Sequence, residues 1–68
     1  MNIKDITFHA AERGKERAGL TANEMIEDAS DAVLFRRSEK HDSIKVLGLK
    51  GVYCVSPYGR ITTFLNNN

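Results

Sequence analysis

The pattern of polarity along this chain changes once, near Ala32, and that change constrains the fold more than any composition figure. Before it, charged segments carry apolar residues at helical spacing; after it, short β-branched and aromatic runs are broken by turn residues. In 68 residues, one such change leaves room for a single domain in which helices precede a sheet, the α+β class. A chain of this size buries only about 60% of the surface its unfolded form exposes, so both layers must share one small core.

Two helices are expected, over about residues 7–18 and 22–32. Thr7 is placed to cap the first and Gly19 to close it in a left-handed conformation. Ala10, Gly14, Ala18, Ala11 and Phe8 fall on one side of this helix; His9, Glu12, Arg13, Glu16 and Arg17 fall on the other. Gly14 in the helix interior costs roughly 1 kcal/mol against alanine and points to close packing. Thr21-Ala22-Asn23-Glu24 is a capping box at the head of the second helix. Met25, Ile26, Ala29 and Ala32 or Val33 form its inner stripe, with Glu24, Glu27, Asp28 and Asp31 expected outside as an anionic face.

Four strands are expected over about residues 33–37, 43–48, 52–56 and 60–65. Their joints are residues 38–42, which include His41, then Lys50-Gly51, then Pro57-Tyr58-Gly59. Connections this short permit only neighbouring antiparallel pairs, so the sheet reads as a four-stranded meander with the two helices packed on one face. Residues 3–6 are an extended lead-in, and 66–68 a frayed tail.

Ten Lys and Arg against nine Asp and Glu leave a formal charge of +1, so any nucleic-acid role must rest on local clustering of cations. The lone Cys54 lacks both a disulfide partner and zinc-type company, and reads as a buried small hydrophobe of its strand rather than a nucleophile. No signal-peptide run opens the chain and no membrane-length apolar stretch occurs, so a cytoplasmic protein is expected.

His9, Arg13 and Arg17 follow one another at four-residue steps and therefore share one ridge, turning about 40° per step. An imidazole that titrates near neutrality beside two guanidinium forks suits phosphodiester chemistry. The plainer reading has both arginines solvated and paired with Glu12 and Glu16. On the sheet, Arg36, Arg37, Lys45 and Arg60 supply cations for RNA, and Tyr58 an aromatic that can stack on a base. Thr62 and Thr63 should alternate, one toward the helices and one toward solvent.

Ile6-Thr7-Phe8-His9-Ala10-Ala11-Glu12-Arg13, followed by Arg17, the Gly19 break, the capped second helix and Gly59-Arg60-Ile61-Thr62-Thr63-Phe64, resembles small HAxxR-type bacterial and phage domains. These look like members of the barnase, EndoU, colicin and RelE superfamily of compact RNases, many of them toxins. The resemblance implies metal-independent RNA cleavage by 2′-hydroxyl attack, with no cofactor. His9 would then be the acid or base, Arg13 and Arg17 would hold the phosphate, and Thr62 or Thr63 would contribute from the last strand.

Expected partners are RNA or the ribosome, a cognate antitoxin or host protein, and a second copy of the chain; a membrane is not among them. The alternative function is a non-catalytic phage or regulatory protein that binds and inhibits a host protein. It rests on size, balanced charge and a meander too short to protect both edges.

Overall fold

A computed structural model describes residues 2–37 and 43–65; the loop carrying His41 and the tail at 66–68 lie outside the described residues. The architecture is α+β: β1 (Asp5–Ile6), α1 (Phe8–Ala18), α2 (Ala22–Asp31), β2 (Leu34–Arg37), β3 (Ile44–Leu47), β4 (Val52–Val55) and β5 (Arg60–Leu65). The strands lie in the order β1-β5-β4-β3-β2.

Strands β2 to β5 form the expected antiparallel meander, but the sheet has a fifth strand and is mixed. The lead-in pairs in parallel with β5, Asp5 opposite Arg60 and Ile6 opposite Ile61. The Lys4 amide donates to the Gly59 carbonyl at 2.8 Å and the Thr7 amide to the Ile61 carbonyl at 2.9 Å. Gly59 adopts a left-handed φ of 87°, and a Cβ there would press on the Asn2 carbonyl, so the last turn needs glycine for two reasons.

Local signals set both helix starts. The Thr7 hydroxyl accepts from the Ala10 amide at 3.1 Å. At α2 the Thr21 hydroxyl accepts from the Glu24 amide at 3.1 Å, while the Glu24 carboxylate accepts from the Thr21 amide at 3.0 Å. That return bond is the main reason the Glu24 carboxyl sits below its ordinary pKa of 4.5. Gly19, left-handed at φ 68°, ends α1, and the chain then buries Leu20. No helix among the described residues is long and apolar enough to cross a membrane.

The core lies between the helices and the inner face of the sheet: Ala10, Met25 and Ala29 above, Val46, Tyr53, Val55, Ile61 and Phe64 below. The Tyr53 and Phe64 rings meet edge to face at 5.6 Å. Gly14 lies against Met25 so closely that a Cβ would overlap the thioether. The stripe of α1 is shorter than expected, since Phe8 and Ala18 at its two ends are exposed.

Asp28 departs from the sequence reading. It is buried rather than part of the outer acidic face, because its carboxylate finds three donors, two from the β3–β4 turn and one from β4. Leu49 and Lys50 amides donate at 2.9 and 3.0 Å, and the Tyr53 phenol at 2.7 Å. Gly48 makes this possible, for a Cβ at that position would collide with the carboxylate.

Candidate functional site

Helix α1 carries the His9, Arg13 and Arg17 ridge on the layer above the sheet. Burial of Ala10 and Gly14 fixes the rotation of the helix, so their preceding neighbours His9 and Arg13 line one flank. His9 and Arg17 are exposed and Arg13 is half-buried. Neither arginine forms an ion pair among the described residues, so the expected pairing with Glu12 and Glu16 is not made. Both guanidinium groups keep their donors available for an anion.

Thr62 and Thr63 belong elsewhere. Ile61 pairs with Val55 and Thr63 with Cys54, so Thr62 is an extra residue in β5 and the strand is bulged. Ile61 and Phe64 both face the helices, and the two threonines between them lie on the opposite, outer side. The expected alternation of the two hydroxyls is therefore overturned by the bulge. The Thr62 hydroxyl donates to the Cys54 carbonyl at 3.2 Å, tying the bulge down. The sheet stands between these threonines and the α1 ridge, so the five residues expected to act together occupy two surfaces.

The outer face gathers most of the sheet cations. Arg36 pairs with Lys45, Lys45 with Cys54 and Cys54 with Thr63, which puts these four side chains in one row across four strands. Beside that row Lys4, Asp5, Ser56, Tyr58, Arg60 and Thr62 line a shallow depression. Arg60 is partly neutralised there, its Nε 3.1 Å from the Asp5 carboxylate in an exposed pair. Arg36, Lys45 and Tyr58 are exposed, and neither Arg36 nor Lys45 has an ion-pair partner among the described residues. Arg37, paired with Ile44, lies on the inner side instead.

Opposite charge collects on α2. Glu24, Glu27, Asp28 and Asp31 line a groove whose other wall is Val33, Leu34, Leu47 and Leu49, with Lys50 at its mouth, 3.7 Å from Glu24. Among the described residues charge is thus sorted locally, with a basic row on the outer sheet face and an acidic stripe along α2.

Sequence reasoning missed the pair formed by Asp28 and Tyr53, the buried polar centre of the molecule. The signal was present in the spacing, since Asp28 stands three residues after Met25 and directly before Ala29 on the inner stripe. Burial, and then the hydrogen bond to Asp28, push the Tyr53 phenol well above its ordinary pKa.

Comparison of the chain with family models, with curated proteins and with solved structures finds no match in any of the three.

Proposed function

We propose that this domain is a toxin-like, metal-independent endoribonuclease, with the α1 ridge as its reacting surface. The observation that carries the reading is the pair of α1 guanidinium groups without ion-pair partners among the described residues, beside an exposed imidazole on the same helix flank. His9 takes the proton of a ribose 2′-hydroxyl as that oxygen attacks the adjacent phosphorus. Arg13 and Arg17 bind the non-bridging oxygens and offset the charge that develops on them. The bond to the 5′-oxygen breaks, that oxygen leaves with a proton returned by the imidazolium, and a 2′,3′-cyclic phosphate remains.

In this reading Thr62 and Thr63 serve RNA binding from the outer face, together with Arg36, Lys45, Tyr58 and Arg60, and take no part in the proton transfers. A non-catalytic binding protein is the second reading. It is favoured by the separation of the threonines from His9 across the sheet.

Incubation of the protein with single-stranded RNA separates the two. Cleavage that is lost when the attacking 2′-hydroxyl is replaced by hydrogen, and lost in His9→Ala, supports the endoribonuclease. RNA left intact by the folded wild-type protein defeats it.

A further inference from the structure

Among the described residues, strand β2 is an edge of the sheet, bonded to β3 on one side only. All four of its residues are exposed, and Val33 just before it is 82% exposed. The usual protections of an edge, a proline, a bulge or an inward-pointing charge, are missing from Val33, Leu34 and Phe35. Leu34 is 63% and Phe35 47% exposed, and Leu47 and Leu49 extend the apolar surface beside them.

The ladder fixes which backbone groups this edge offers. The Gly48 amide donates to the Gly51 carbonyl, so Val46 and Ile44 bond to β4 and the intervening Leu47 and Lys45 bond to β2. Their partners Leu34 and Arg36 are thereby engaged with β3. The amides and carbonyls of Val33, Phe35 and Arg37 then point outward.

Charge runs along the same edge in a self-complementary order. Asp31 closes α2, the apolar residues 33–35 follow, and Arg36 and Arg37 end β2. Arg37 lies on the inner side of the sheet, the side on which α2 packs. A twofold axis at Phe35 would set Phe35 against Phe35 of a second copy and Val33 against its Arg37. That guanidinium would arrive beside Asp31, and the symmetric pair would form at the other end.

From these features we infer that two copies of this chain associate through β2, antiparallel and centred on Phe35, into one continuous ten-stranded sheet with reciprocal Arg37–Asp31 ion pairs. The inference is independent of the RNA-cleaving reading, since neither His9 nor the outer-face cations take part. The ladder is five residues long, so the dimer belongs with the small interfaces.

Sedimentation equilibrium across a concentration series tests it. The wild type should show a monomer–dimer equilibrium. Phe35→Asp, which sets two like charges on the axis, should weaken it by about tenfold or more, with circular dichroism reporting on the fold. Arg37→Asp should weaken it as well, and the double variant Arg37→Asp with Asp31→Arg should restore it to within a few-fold. A protein that stays monomeric up to about 1 mM overturns the proposal. So does a dimer indifferent to Phe35→Asp, or one that the double charge reversal fails to restore. Should Phe35→Asp not fold, the Arg37 and Asp31 variants decide alone.

Discussion

The phenol of Tyr53 donates a 2.7 Å hydrogen bond to the carboxylate of Asp28, joining the central strand of the sheet to the second helix inside the core. The same carboxylate holds two amides of the β3–β4 turn, so one side chain ties together three elements of the fold.

Removing either partner exposes the asymmetry of buried hydrogen bonds. Tyr53→Phe should cost about 1–2 kcal/mol, since two amides still satisfy the carboxylate. Asp28→Ala should cost roughly 3 kcal/mol or more, because it strands the phenol and opens a void. Urea unfolding of the three proteins ranks them.

Tyr53 also sets a pH dependence. A phenol whose pKa is raised in the folded state contributes stability that is complete below the unfolded value and is lost as pH rises through the folded one. Stability should therefore decline above about pH 10 and the decline should be shallower in Tyr53→Phe. Denaturant midpoints between pH 8 and pH 11 give the comparison.

Glu24 works in the opposite direction. Its carboxyl is lowered from 4.5 chiefly by the hydrogen bond from the Thr21 amide, so its contribution is present above that value and lost as pH falls through the folded one. Glu24→Gln keeps an acceptor but no titration, and should flatten the acid limb of the stability profile. Thr21→Ala should cost about 1 kcal/mol near neutral pH.

Two glycines should respond unequally to alanine. At Gly48 the added methyl meets the anchored Asp28 carboxylate, which cannot move without losing its three donors. At Gly14 it meets the thioether of Met25, a flexible side chain, and alanine gains about 1 kcal/mol of helix propensity in return. Gly48→Ala should lower the thermal midpoint clearly more than Gly14→Ala.

RNA affinity should depend on the outer face. Lys45→Ala and Arg36→Ala should each weaken binding across sequences and reduce the salt slope of log K by about 1. Filter binding at several salt concentrations reads the slope, and neither change should alter the chemistry at His9.

What was legible in the sequence was local. The capping box at Thr21 and Glu24 closes within three residues, and Gly19 acts through its own φ, so each is written where it operates. The β1 strand was not legible as a strand, because two residues carry no period and its partner lies 55 positions away. Asp28 was half legible, since its spacing from Met25 and Ala29 puts it by the inner stripe, but two of its three donors are backbone amides, which leave no mark in a sequence. The His9, Arg13 and Arg17 ridge follows from helical spacing alone. The position of Thr62 and Thr63 depends on one extra residue in β5, and alternation cannot anticipate a bulge.

The parallel pairing of β1 with β5 also sets an order of assembly. The hairpins of β2 to β5 close short loops, while Asp5 and Ile6 must find Arg60 and Ile61 across almost the whole chain. The meander, β5 included, closes through neighbouring strands, whereas α1 reaches its floor on β5 only across most of the chain. The surface bearing His9 is consequently held by the longest-range contacts of the fold, and is among the first parts to come loose when β1 and β5 separate.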